Sequence, residues 1–193
     1  PAIIENILGI KRRKGSIQKG KKPLLINNLK LLINVIDEQD REEIKKLRDR
    51  SIILVGFSGG FRRSELVNID YEDIEFVNEG MKIFIKRSKT DQSGEGMIKA
   101  IPYFDNIKFC PVETLKNWIS YSDDKNGKIF NISDKSVSLI IKKYASMAGL
   151  DPNRYGGHSL RSGFATSTAE SGAEERNIMA MTGHKTTQMV RRY

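Results

Sequence analysis

The sequence predicts a mainly α fold with a small three-stranded antiparallel sheet, an α+β domain. Three observations predict it. Apolar residues recur at helical spacing from residue 24 to 59, and again from 112 onward. Between these blocks lie three short β-rich runs, two of them flanking Asn78-Glu79-Gly80, a hairpin signal. Glycines at 149, 172 and 183 stand where the later helical runs stop.

Each element follows in order. "PAIIENILGI" is apolar and reads as the end of a helix from an upstream domain. "KRRKGSIQKGKK" then places seven basic residues in twelve positions, with no acid. Such a run buries no apolar surface and is expected to be extended, either as an idle linker or as a strap along a phosphate backbone. Residues 1–22 are therefore expected to be the end of an upstream domain plus a basic interdomain linker. Residues 23–193 are expected to be the catalytic-type domain proper, truncated after Tyr193. "LLINNLKLLINVI" and "IKKLRDRSIILVGFSG" predict two helices, the second fully buried over 52–57. "GGFRRSELVNI" breaks at glycine and resumes a short helix. "IEFVNEGMKIFIKR" and "MIKAIP" supply the strands, separated by the polar turn "SKTDQSGEG". After Pro111 come the helical runs "VETLKNWISY", "DKSVSLIIKKYASMA", "GHSLRSGFATSTAES", "AEERNIMAMT" and "TTQMVRRY", with Ser133 and Thr186 as candidate N-caps.

Composition narrows the function classes. The 193 residues hold 38% hydrophobic and 30% charged side chains, suited to a soluble globular protein. No apolar run approaches the roughly 18–20 residues that span a membrane, and no signal-peptide pattern follows Pro1. Cys110 is the sole cysteine, which excludes an internal disulfide and fits a reducing cytosol. His158, His184 and Cys110 lack ligand spacing, so no metal site is expected. The excess of 33 Lys plus Arg over 24 Asp plus Glu gives a net charge of +9, which favours polyanions, nucleic acid first.

Four stretches concentrate the cationic and titratable groups. In "GGFRRSEL", Arg62 opens a short helix and Glu65 lies on the same face at i+3. In "RSKTD", Lys89 sits at a hairpin tip beside Arg87. In "GGHSLRSGFAT", His158 and Arg161 leave one face of a helix, and the glycines before it would let a backbone or ligand approach the helix start closely. "GHKTTQMVRRY" ends the chain with His184 and Tyr193. Together these are the parts of a metal-free phosphoryl transfer. Negative charge on the non-bridging oxygens needs forked cations, which arginine supplies. The leaving alkoxide needs a proton donor. Tyrosine, with a pKa of about 10, is a nucleophile more easily deprotonated than an alcohol.

These motifs stand in the order "GFRRSEL", "RSKTD", "HSLR", "TGH" and Tyr193, and in this the chain resembles the catalytic domain of the tyrosine recombinases, the phage-integrase family. The resemblance runs from about Pro23 to the end. It implies that Arg62 and Arg161 clamp the scissile phosphate and that Lys89 protonates the 5′-hydroxyl leaving group. It also implies that His158 assists proton transfer at the tyrosine, that His184 hydrogen-bonds a phosphate oxygen, and that Tyr193 forms the 3′-phosphotyrosyl link. Glu65 would support the site. Lys11, Arg12, Arg13, Lys14 and Arg87 would contact DNA.

Site-specific cleavage and rejoining of double-stranded DNA is the implied activity, with no cofactor, because the bond energy is kept in the protein–DNA link. The expected setting is a cytoplasmic, nucleoid-associated protein of prokaryotic or phage origin that makes no membrane contact. Relatives continue past the tyrosine into a segment that packs on a neighbouring protomer. A tetramer on DNA is therefore expected of the full-length protein and a monomer of this stretch. A type IB topoisomerase-like activity and a catalytically silent DNA-binding relative are the alternatives. The wording of "TGHKTTQMVRRY" and the full set of site residues weigh against both.

Overall fold

Eight α-helices and one three-stranded sheet make up the computed structural model, which describes residues 20–86, 96–121, 125–184 and 186–190. The order is α1 (Ile26–Asp37), α2 (Glu43–Ser58), α3 (Arg63–Leu66), β1 (Ile74–Val77), β2 (Gly80–Ile85), β3 (Met97–Pro102), α4 (Pro111–Ser120), α5 (Asp134–Met147), α6 (Gly157–Glu170), α7 (Glu175–Thr182) and α8 (Thr187–Val190). The predicted mainly α fold with one antiparallel three-stranded sheet is the observed one. Three single-turn 3₁₀ segments, Tyr71–Asp73, Ile107–Phe109 and Pro152–Arg154, were not expected. Three residues carry no periodicity to read.

Helix α2 is the axis of the domain. Every residue from Ser51 to Ser58 is buried, because α1, α4 and α6 pack around it. A helix apolar on all sides belongs inside, as the run Ile52–Phe57 implied. Its one buried acid, Asp49, is satisfied by Arg41 at 3.1 Å and by the Tyr144 hydroxyl of α5 at 2.7 Å. The cap residues behave as their chemistry dictates. Ser133 accepts from the Ser136 N–H at 3.2 Å, and Gly149, Gly172 and Gly183 follow their helices with positive φ.

Strands run in the order β1-β2-β3, and Val77 pairs with Gly80, so Asn78-Glu79 is the two-residue hairpin turn. Met81, Ile83 and Ile85 of β2 face the core. On β3 the same face carries Met97, Lys99 and Ile101, while Ile98 points outward and is 62% exposed. Lys99 lies opposite Ile83.

Two further features position the site. Residues 21–24 cross the start of α6: Lys22 N–H donates to the Arg154 carbonyl at 2.7 Å and Leu24 N–H to the Ser159 carbonyl at 2.9 Å. Gly163 permits this crossing, since a Cβ there would sit 2.1 Å from the Leu24 carbonyl oxygen. On the side of α6 that carries Phe164, an apolar groove of about 560 Å³ opens between α1, α2, β3 and α6, lined by Ile26, Leu29, Phe57, Phe104, Phe109 and Phe164 among others. Among the described residues, no helix is long and apolar enough to cross a membrane.

Candidate active site

The first site arginine is delivered by a turn that only glycine makes easily. Helix α2 ends at Gly59, and Gly60 follows at φ +55. Gly60 N–H donates to the Phe57 carbonyl and Phe61 N–H to the Gly56 carbonyl, at 2.9 and 3.0 Å, the paired bonds of a Schellman motif. The chain is thereby reversed into Arg62, which starts α3. Glu65, buried at the expected i+3 position, receives both the Arg62 backbone N–H at 3.0 Å and its guanidinium at 2.6 Å. One carboxylate therefore fixes both ends of Arg62, a supporting role for Glu65.

Arg161 comes from the middle of α6 and is 1% exposed. Its guanidinium donates to the Gly60 carbonyl at 3.0 Å, which ties α6 to the turn that delivers Arg62. His158, one turn earlier on the same helix, reaches the surface. Loss of solvation, then the charges of Arg161 and Arg62, holds its pKa below the ordinary imidazole value. Of the two glycines before His158, Gly157 lies close against neighbouring side chains. Gly157 gives its N–H to the Ser138 hydroxyl at 3.1 Å, and a Cβ there would meet the Arg63 side chain at 3.1 Å. At Gly157 the small size serves the packing of α6 on α3 and α5.

His184 follows α7 through Gly183, whose φ of +65 turns the chain. Thr182 orients the imidazole. Its hydroxyl donates to the Ile178 carbonyl at 2.6 Å and shares a 2.8 Å hydrogen bond with His184 Nδ1. That engages Nδ1 within the protein and fixes the ring plane. Burial, reinforced by Arg161, Arg62, His158 and Lys99, lowers the His184 pKa to about 4. The mutual influence of these groups places Arg62, His158, Arg161 and His184 in one electrostatic neighbourhood, although they span 123 positions of sequence.

One member of that neighbourhood was missed. Lys99 is fully buried on β3, and burial lowers its pKa to about 7, with Glu65 opposing and Arg161 and Arg62 adding to the fall. Its Nζ donates to the Gly59 carbonyl at 2.7 Å and to the Met181 carbonyl. The Phe61 ring lies 4.7 Å away. The signal was present in the strand pairing: Met81, Ile83 and Ile85 mark the inward face of β2, and the residue facing Ile83 is a lysine.

Lys89, Arg87, Tyr193 and the basic residues Lys11, Arg12, Arg13 and Lys14 lie outside the described residues. Among the described residues, Asp70, Glu72 and Asp73 bring carboxylates within 4.8 Å of one another. Lys86 bridges all three at 2.6–3.1 Å and Lys128 holds Asp70 at 3.0 Å.

Comparison with known proteins places this arrangement. The family model described as the phage integrase family matches residues 23–193. The integrase/recombinase xerD homolog of Selenomonas ruminantium is 45% identical over 196 residues, covering 95% of this chain and 57% of that protein. Tyrosine recombinase XerC of Syntrophus aciditrophicus is 30% identical over 165 residues, covering 79% of this chain and 50% of that protein. The chain thus spans about half the length of these relatives. Among solved structures, the XerH site-specific recombinase bound to its difH substrate superposes with a TM-score of 0.72 at 20% identity, over 89% of this chain and 49% of that one. At that identity the likeness establishes the shared fold. With its matched span and its relatives, the chain belongs to the phage integrase family.

Proposed function

We propose that this chain is the catalytic domain of a site-specific recombinase that cuts and rejoins double-stranded DNA through a 3′-phosphotyrosyl link at Tyr193. The observation that carries the reading is the gathering of Arg62, His158, Arg161 and His184, from the turn after α2, from α6 and from the turn after α7, into one electrostatic neighbourhood. Arg62 and Arg161 draw charge from the non-bridging oxygens of the scissile phosphate, and each is already held by the protein before DNA arrives. The Tyr193 oxygen attacks phosphorus, the bond to the 5′ oxygen breaks, and Lys89 gives that oxygen its proton. His158, kept neutral by its surroundings, accepts the proton that the tyrosine loses. His184, whose Nδ1 is engaged by Thr182, takes a second proton on Nε2 as the anionic phosphate arrives and donates it in a hydrogen bond to a phosphate oxygen. Reversal by a second strand's 5′-hydroxyl restores the phosphodiester, so no cofactor is consumed.

The basic run at 11–22 is assigned as an interdomain strap along DNA, and Arg87 as a further phosphate contact. The crossing of residues 21–24 over α6 supports this, because it leads the strap past the helix that carries His158 and Arg161. Assembly is proposed as a tetramer on DNA in the cytoplasm, and the apolar groove beside Phe164 offers a seat for a segment of a neighbouring protomer. A suicide duplex, nicked so that the covalent adduct accumulates, tests the function. Wild type should form the adduct with or without EDTA, and Tyr193→Phe should form none. An adduct at wild-type yield in Tyr193→Phe would end the tyrosine mechanism.

A further inference from the structure

Lys99 is a fully buried cation, and none of the roles above uses it. Its row on the sheet is otherwise Met81, Ile83, Ile85 and Ile101, where another apolar residue would avoid the desolvation of an ammonium group. The two carbonyls it reaches have something in common. Gly59 ends α2 and Met181 lies in the last turn of α7, where helix carbonyls lack intrahelical partners and the helix dipole is negative. Each carbonyl also stands three residues before a site residue: Gly59 before Arg62, Met181 before His184. The next carbonyl along, that of Gly60, holds Arg161.

We propose that Lys99 is a positioning residue for strand cleavage: its ammonium ties the end of α2 to the end of α7 and so sets the distance between the loops that present Arg62 and His184. This assignment rests on the recombinase reading. Lys99 has no exposed surface, so it acts through those loops and does not touch DNA. The Phe61 ring covers it at 4.7 Å, and Glu65 is the acid that faces it, shared with Arg62. Without the tie, the two loops keep their own turns but lose their common register. Misplacement of a reacting group by about 1 Å is worth roughly 10²-fold in rate.

The test uses the full natural chain and the nicked suicide duplex, with DNA affinity and the single-turnover rate of adduct formation measured separately. Lys99→Met keeps the length and removes the donors. It should cleave about 10²-fold more slowly while the Kd for DNA stays unchanged. Substituting sulfur for the bridging 5′ oxygen should not restore the rate, because a phosphate held out of line is not helped by a better leaving group. Lys99→Gln, which keeps an N–H donor, should recover part of the loss.

A wild-type rate in Lys99→Met overturns the proposal, as does a loss of affinity that accounts for the loss of rate. Rescue by sulfur also overturns it, since Lys99 would then be a proton donor. If circular dichroism shows Lys99→Met unfolded, Lys99→Gln decides: slower cleavage at unchanged Kd supports the tie, and wild-type cleavage removes it. A wild-type chain that forms no adduct at all overturns the recombinase reading and this proposal together, an outcome distinct from an active wild type with an equally active variant.

Discussion

Lys86 and Lys99 flank the same hairpin connection, one just after β2 and the other inside β3, yet their surroundings drive them in opposite directions. Lys86 is exposed and faces Asp70, Glu72 and Asp73, and hydrogen bonds to these carboxylates raise its pKa. Lys99 is buried beside Arg62 and Arg161, and its pKa falls to about 7. The number of residues between them is small and the residue type identical. What differs is which side of the strand the side chain leaves, since strand side chains alternate between faces. A lysine on the outer face is a surface cation. On the inner face it becomes part of the framework under the phosphate site.

Lys89 is the third lysine of this region, and it allows the sharpest test of the contrast. As the proposed acid, it should cost about 10²–10⁴ in cleavage rate when changed to alanine. A bridging 5′ sulfur leaves readily as a thiolate and should restore most of that rate to Lys89→Ala, but none to Arg161→Ala. Equal rescue of both variants would move the acid elsewhere.

Removing the acid common to the framework comes next. Glu65→Ala leaves Arg62 and Lys99 without their shared counter-charge, and breaking a buried ion pair costs about 3–5 kcal/mol. The lower end is expected because the Arg62 side chain is 20% exposed. Urea unfolding at neutral pH measures it, and a change below about 1 kcal/mol would mean that the pair behaves as a surface bridge.

The pH dependence of stability separates the buried lysine from the exposed one. Unfolded, Lys99 keeps its proton up to its ordinary value of 10.5; folded, only to about 7. Between these values the unfolded chain binds more protons, so the cost of burial is full below about pH 7 and is relieved as pH rises. Wild type should therefore gain on Lys99→Met by at most about 1.4 kcal/mol per pH unit between pH 7 and 9. Paired urea titrations at the two pH values check the slope, and a flat difference would show that Lys99 titrates normally.

Lys86→Ala should give the smallest change. Its ammonium is exposed to solvent, so the loss of stability should be minor and should shrink further in high salt. A loss as large as that of Glu65→Ala would erase the distinction between the two faces.

The sequence made the helices, the hairpin and the local pairing of several candidate site positions legible for physical reasons. Helical spacing around 24–36 and 134–148 reports a face to be buried, and Gly60, Gly149 and Gly183 stand where the backbone needs positive φ. Arg62 with Glu65, and His158 with Arg161, could be paired because helical neighbours at i+3 meet locally. Lys99 could not be placed that way. Its partners are backbone carbonyls 40 and 82 positions away, and a carbonyl has no letter in the sequence. Ile98 and Lys99 even reverse the usual expectation, with the isoleucine in solvent and the lysine inside. The packing at Gly157 is hidden from the sequence for a similar reason: its neighbours Arg63 and Ser138 belong to other helices.

The crossing of residues 21–24 over α6 also has a mechanical side. Tension applied to the chain ahead of Gly20 would load two backbone hydrogen bonds, Lys22 to Arg154 and Leu24 to Ser159, at the point where Leu24 enters the apolar core. Ser159 is the neighbour of His158, and Gly163 allows the strand to lie flush against the helix just beyond Arg161. Force entering at Gly20 therefore arrives first at the helix that carries Arg161 and His158, one proposed phosphate ligand and one proposed proton acceptor. Among the described residues, the chain from Gly20 to Leu24 is joined to that helix directly by these two hydrogen bonds.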